Sequence, residues 1–477
     1  MDQLPGQPPP HHRQTRAVHA ARSSPPPPDG HRPTTGGESG DAARPTAEGR
    51  PTAGDRSAAG GAGRPGGYGS AGHHSAGYAT AEEQAQPPLR SRPLSVPLIQ
   101  ASAFAFDDVD ALADAMADPD GAYVYSRRGN PTVRALERTL ADLEGGTAAL
   151  ATASGMGAIS GVLLSLLRPG DHVIAQSCLY GGTHAVLTDL AARFGVEVST
   201  VAGDSVEEFR AAVRPTTRLL FLETVANPTG DVPDLPGLLG AAAEFGVRGV
   251  VDNSLASPLL CRPLEHRADV VVHSTTKYLS GHSDTMGGAA VFADTALYRL
   301  VWGRAVELGS TADPFASWLT LRGIQTLPLR MRQHCANAEV LAERLAGHPA
   351  VTAVRWPLRP DHPRYALARR LLSGGGGMLS FDLAGGRAAG RAFARTVRLA
   401  QLALSLGGVE TLVTHPASTS HRELDGAALH AAGIGPGTVR MSVGIEHPED
   451  LWRDVEQALD AAYATRRPAT RRDGASA

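Results

Sequence analysis

Lysine is all but missing from this chain. Among 477 residues the sequence has 45 Lys and Arg, and one of them, Lys277, is lysine. Arginine serves wherever a positive charge alone is needed. Its guanidinium stays protonated and cannot act as an amine nucleophile, whereas a lysine amine can lose its proton and form a Schiff base. A single survivor on a solvated face would give the same count, so the number by itself leaves chemistry and chance open. A basic excess is also missing: 45 basic against 48 acidic residues give a formal charge of -3, which argues against a nucleic-acid partner. No apolar run is long enough for a transmembrane helix, and the first residues lack the apolar core of a signal peptide, so no membrane association is expected. The three cysteines, Cys178, Cys261 and Cys335, are far apart and odd in number. That usage fits a reducing, cytoplasmic setting without a disulfide framework. Asparagine is scarce too, and three of its four positions (Asn130, Asn227 and Asn253) fall in motifs described below.

Apolar side chains are missing from one region. Residues 1–90 contain no Ile, Phe, Trp or Cys, and their only Leu and Val are Leu4, Val18 and Leu89. Fifteen of the 35 prolines lie in residues 1–95. Such a segment cannot offset the entropy of ordering, so residues 1–94 are expected to be a disordered Pro/Gly-rich stretch. The remaining chain divides into a large domain over 95–340, a smaller C-terminal domain over 341–465 and a disordered tail over 466–477. The paired histidines His11-His12 and His73-His74 fall in the Pro/Gly-rich stretch and read as incidental composition, not a metal site.

From residue 96 the pattern is α/β. Val133, Leu136, Leu140 and Leu143 have helical spacing, and Gly145-Gly146 ends that helix. Short apolar runs follow at 173–175, 219–222, 250–251 and 270–272, with helical patterns at 183–194 and 234–245 between them. This alternation predicts βαβ units and a mostly parallel sheet. Ligands bind outside the carboxyl ends of such strands. The polar stretches Gln176–Thr183, Glu223–Asn227, Asp252-Asn253 and His273–Lys277 are placed there. In the second region a glycine run, 374–377, precedes 378–383, which alternates like a half-buried strand of an α+β domain.

Ser274-Thr275-Thr276-Lys277 puts hydroxyls just before the lone lysine and past a buried strand. Hydroxyls can bind phosphate while the amine condenses with an aldehyde, which suits pyridoxal 5'-phosphate. That cofactor also needs a carboxylate at its ring nitrogen, and Asp252 ends the neighbouring run, although a turn residue would look the same. Ser154-Gly155-Met156-Gly157 opens a helical stretch and offers free N–H groups to a phosphate. Tyr180 follows another strand and is placed either to stack on the ring or to pack in the core.

These motifs and others, in order over residues 95–460, resemble the Cys/Met-metabolism (trans-sulfuration) family of pyridoxal-phosphate enzymes. That family includes cystathionine γ-lyase, methionine γ-lyase, cystathionine γ-synthase and O-acetylhomoserine sulfhydrylase. The matching segments include Tyr125–Thr132, Ser154–Met156, Leu179–Thr183, Glu223–Pro228, Val251–Asn253, His273–Tyr278, Gly281–Asp284, Ser405–Leu412, Thr414–Ser418 and Arg440–Gly444. The resemblance implies the aspartate-aminotransferase-like fold type I. It implies a Schiff base on Lys277, which also shuttles protons, and Asp252 at the pyridinium nitrogen. It places Tyr180 on the ring, assisting the leaving group, and Asn227 at the phenolic oxygen. Gly155, Met156, Ser274 and Thr276 bind the phosphate, joined by Tyr125 and Arg127 from a neighbouring subunit. Arg440 holds the substrate carboxylate, with Ser405 and Asn227 beside it. A homotetramer made of two active dimers is implied, with a small-molecule amino-acid substrate.

Elimination of a γ-substituent to a 2-oxo acid, ammonia and a thiol is the expected activity, and γ-replacement on an activated homoserine ester is the alternative. Leu404 stands where cystathionine γ-lyases often carry an acid, and Gly182 where methionine γ-lyases typically carry a cysteine. Thr15–Ala20 resembles the family's opening segment, separated here from the globular pattern by the Pro/Gly-rich stretch.

Overall fold

The computed structural model describes residues 93–464, apart from 119–120 and scattered positions between 421 and 432. The expectations for the Pro/Gly-rich stretch (all but its last two residues), for Thr15–Ala20, for the paired histidines and for the tail 466–477 lie outside the described residues.

The four apolar runs become strands β2 (His172–Gln176), β4 (Thr217–Glu223), β5 (Arg248–Asp252) and β6 (Val270–His273). Three further strands join them: β1 (Ala148–Thr152), β3 (Glu197–Val201) and β7 (Gly288–Phe292). The sheet order is β1-β7-β6-β5-β4-β2-β3. Only β7 runs against its neighbours, and every other pairing is parallel. Parallel strands covered on both faces read as continuous apolar runs, not as alternation. Leu219, Leu220, Phe221 and Leu222 are accordingly all fully buried. On one face lie α1 (Pro131–Glu144) and, later in the chain, the helix Leu235–Glu244. The other face carries α2 (Gly155–Leu166), α3 (Gly181–Phe194) and the helix Thr295–Leu308.

Local signals set the helix ends. Asn130 caps α1, its Oδ1 accepting the Thr132 N–H at 2.9 Å, and Gly145 closes it with φ 79°. Ser154 caps α2 by accepting the Gly157 N–H at 3.0 Å. That cap leaves the N–H groups of Gly155 and Met156 for a ligand.

A second sheet has the order β10-β11-β12-β9-β8. Its strands are β8 (Val351–Arg355), β9 (Met378–Leu383), β10 (Gln401–Leu402), β11 (Leu412–Thr414) and β12 (Thr438–Ser442). Leu379, Phe381 and Leu383 of β9, with Val439 and Met441 of β12, pack into a helix-covered core. There Phe381 meets Phe393 edge to face with centroids 5.3 Å apart. The pleat alternation therefore turns Ser380, Arg440 and Ser442 to the other face. Arg440 lies in register between Ser380 and Thr414.

Candidate active site

The carboxyl ends of β2, β4, β5 and β6 and one face of the second sheet enclose a cavity of about 320 Å³. Of the residues singled out from the sequence, Gly155, Met156, Tyr180, Asn227, Asp252, Ser274, Thr276, Lys277, Ser405 and Arg440 all line it. Tyr125 and Arg127 do not. Arg127 donates to the Val306 carbonyl at 2.9 Å and lies 5.7 Å from the ring centroid of Tyr125, which is itself half exposed.

Lys277 lies four residues past β6. Its Nζ donates to Ser405 Oγ at 2.7 Å. Burial, and then the Arg440 charge, hold the amine below the usual lysine value. Ser405 adopts φ 86°, a left-handed conformation uncommon for a side chain that bears a Cβ. The result is a two-sided contact: its hydroxyl meets Lys277, and its carbonyl accepts Arg440 Nη2 at 2.8 Å. Arg440 Nη1 also reaches Asn227 Oδ1 at 3.4 Å. Burial lowers the guanidinium's pKa from its ordinary value. Its Nε, together with Ser380 Oγ and Thr414 Oγ1 on the flanking strands, is buried with no partner among the described residues. Of the three residues, Arg440 lines the cavity, and its unsatisfied Nε is in the state a polar ligand would complete.

The opposite wall is acidic. Asp252 and Glu223 end β5 and β4 and stand in register. Asp252 Oδ1 accepts the Ser254 N–H at 2.9 Å. Glu223 accepts the Tyr180 N–H at 2.5 Å with one oxygen and the Asn227 N–H at 3.3 Å with the other. Burial, with Asp252 beside it, pushes Glu223 up to about 8. Burial raises Asp252 as well. Behind this pair a buried network joins Glu144, His273, Asn253 and Thr224. His273 Nε2 is 2.6 Å from Glu144 Oε1, which also accepts Asn253 Nδ2 at 2.8 Å, and Thr224 Oγ1 donates to Asn253 Oδ1 at 2.8 Å.

Where α2 begins, the chain passes very close to β6. A Cβ on Gly155 would stand 2.8 Å from Ser274 Cβ, so only glycine brings the helix N-terminus this near the serine. Thr276 Oγ1 is already engaged, donating to the Gly287 carbonyl at 3.1 Å and accepting the Gly287 N–H at 2.9 Å. A Cβ on Gly182 would lie 2.6 Å from Tyr180 Cε1 and 2.8 Å from Met156 Sδ, so the ring of Tyr180 occupies the space a side chain would take. The donor set fits pyridoxal phosphate: one amine of lowered basicity, one buried carboxylate, and a helix N-terminus beside hydroxyls.

Sequence reasoning assigned no role to Glu223, Thr414, Ser380 or Met286. Glu223 and Thr414 were visible only as members of longer segments, and their juxtapositions exist only once strands pair. Met286 is exposed and lines the mouth with Leu404.

Known proteins bear on this site. The sequence profile described as Cys/Met metabolism PLP-dependent enzyme matches residues 78–460. The chain is 42% identical over 370 residues to an L-methionine gamma-lyase of Porphyromonas gingivalis, covering 77% of this chain and 93% of the relative. It is 41% identical over 366 residues to a cystathionine gamma-synthase of Mycobacterium bovis, covering 77% and 92%. Among solved structures, cystathionine gamma synthase from Xanthomonas oryzae pv. oryzae in complex with aminoacrylate and cysteine superposes with a TM-score of 0.74 at 42% identity, covering 78% of this chain and 94% of that one.

Proposed function

The chain belongs to the Cys/Met metabolism family of PLP-dependent enzymes, and from that premise we propose that it is a carbon–sulfur lyase that removes the γ-substituent of a sulfur amino acid. The overall change takes up one water and releases a thiol, ammonia and a 2-oxo acid. Pyridoxal phosphate, when bound, supplies an aldehyde for the amino group and a ring that delocalises the charge left on Cα.

The protein's own residues do the rest. Arg440 grips the substrate carboxylate through its fork, with Asn227 and the Ser405 backbone fixing the guanidinium plane. Lys277 takes the Cα proton. Its lowered basicity leaves more of the amine neutral near pH 7, and Ser405 Oγ holds it beside the substrate. Tyr180 gives a proton to the departing sulfur. Asp252 keeps a proton on the ring nitrogen. Gly155, Met156 and Ser274 receive the phosphate, and Thr276 joins them when its hydroxyl turns from the Gly287 carbonyl. Tyr125 and Arg127, which do not line their own chain's cavity, serve a neighbouring subunit, so the working unit is at least a dimer and, as proposed here, a homotetramer. Three free cysteines suit the cytoplasm. No described helix is long and apolar enough to cross a membrane.

The observation that carries the lyase reading is the mouth of the cavity. Leu404 and Met286 line it, and the only carboxylates among the described lining residues, Glu223 and Asp252, lie on the opposite wall at the ends of β4 and β5. An uncharged thioether tail is matched there, and a distal ammonium is not. The relative named cystathionine gamma-synthase keeps γ-replacement as the second reading. The test is product analysis with L-methionine, L-cystathionine and O-acetylhomoserine plus a thiol. A 2-oxo acid and ammonia from methionine alone support the lyase. A new thioether from the ester, with no 2-oxo acid from methionine, replaces that reading by the synthase.

A further inference from the structure

Glu223 is the one buried carboxylate at the cavity with no part in the chemistry above. It is the last residue of β4, 3% exposed, and its own N–H donates to Gln176 Oε1 at 3.1 Å. Register partners on parallel neighbouring strands lie about 5 Å apart and point to the same face. Glu223 and Asp252 are such partners, on the face that carries α2 and α3. No ion pair with Glu223 exists among the described residues. Two carboxylates this close in a buried site do not both ionise, and one keeps its proton. Asp252 would face the ring nitrogen of bound pyridoxal phosphate, and so is the one with a cation to meet. The two Glu223 oxygens each take one main-chain N–H, from Tyr180 and from Asn227. These are the residues placed at the ring face and at the phenolic oxygen.

We propose that Glu223 is a positioning residue: as a neutral acid it sets Tyr180 and Asn227 through their main-chain N–H groups and leaves Asp252 as the single negative charge beneath the cofactor ring. The proposal rests on the pyridoxal-phosphate lyase reading. The titratable and charged groups around Glu223 are Asp252 from β5, Tyr180 and Cys178 from the turn after β2, and Lys277 and Arg440 across the cavity.

The test compares the parent with Glu223→Gln and Glu223→Ala, with and without cofactor. Glutamine keeps the shape and one acceptor oxygen, leaving one of the two N–H groups without a partner, so Glu223→Gln is expected to lose only about threefold in kcat. Alanine frees both N–H groups, so Glu223→Ala is expected to lose roughly tenfold or more in kcat with a smaller rise in KM for the amino acid, because Arg440 keeps its bond to the Ser405 carbonyl. The cofactor-free protein gives an independent readout. The unfolded glutamic acid ionises near about pH 4.3, while the folded one holds its proton to higher pH, so the parent loses stability across that window. Glutamine cannot ionise. The melting temperature of Glu223→Gln should therefore gain on the parent steadily from pH 5 to pH 8. A flat difference over that range overturns the neutral acid, and a kcat for Glu223→Ala within twofold of the parent overturns the positioning role. If Glu223→Ala does not fold, the glutamine variant without cofactor carries the test alone. A parent protein that shows no visible band with pyridoxal phosphate sinks the lyase reading, and the cofactor-free melts still decide whether the Glu223–Asp252 pair holds a proton.

Discussion

The seven-stranded sheet delivers its site residues where strands stop, and the five-stranded sheet delivers Arg440 from inside one. Glu223 and Asp252 are the last residues of β4 and β5, and Tyr180 and Lys277 lie four residues past β2 and β6. Arg440 sits midway along β12 with a strand on each side. A strand end hands the chain to a loop, so each group there is aimed by its own turn and tuned by burial. A mid-strand side chain is aimed by the pleat and cannot turn without breaking register. The first region thus holds the groups to which the proposed reaction assigns proton transfer, and the second holds a cation in one orientation. Each region also buries a structural carboxylate, used differently. Glu144 serves the side chains of His273 and Asn253. Asp454 accepts three successive main-chain N–H groups, from Arg398 at 2.7 Å and from Leu399 and Ala400 at 2.9 Å.

Breaking the comparison starts with its chemical half. Lys277→Ala should lower 2-oxo acid formation at least about a thousandfold while the thermal melt stays near the parent's, since the change removes a partly buried charge. Retained turnover would remove the first region's claim to the chemistry. The structural carboxylates come next. Glu144→Ala strands two buried side chains and should cost about 3–5 kcal/mol in urea unfolding. Asp454→Ala frees main-chain groups of a partly buried loop and should cost less, about 1–3 kcal/mol. Equal losses would erase the distinction. Arg440→Lys keeps the charge and loses the fork, so KM should rise roughly ten- to a hundredfold with a smaller change in kcat. A smaller effect is expected from pH. The Lys277 amine titrates below an ordinary lysine, so cofactor uptake by the empty protein should rise with pH and level off before free lysine would. A rise that tracks free lysine would show that burial does not tune it.

Much of the first region is legible in the sequence, because a strand covered on both faces must be apolar at every position. That is why 219–222 and 270–272 can be read directly. β1 and β7 escape such reading, since Ala148–Thr152 and Gly288–Phe292 are rich in small residues and carry one β-branched residue each, Thr152 and Val291. β10 and β11, of two and three residues, are too short to show a period. Lys277 stands out by scarcity. Glu223 does not, because the carboxylate that gives it meaning is distant in the chain and becomes a neighbour only through strand pairing. The same holds for Ser380 and Thr414 beside Arg440.

The reversed direction of β7 bears on how this chain can change by descent. In a fully parallel sheet the segment after β6 would travel to the far rim before the next strand began. Here residues 274–287 leave and return at the same rim, and Thr276 Oγ1 ties the outgoing arm to Gly287 on the returning one. Within that arc Gly281 N–H closes on the Lys277 carbonyl at 2.8 Å. An inserted residue has nowhere to go without moving the lysine. At the far rim, Gly170 and Gly246 have open space where a side chain would project. An insertion within 274–287 is therefore expected to displace Lys277, and one at the far rim to leave it in place.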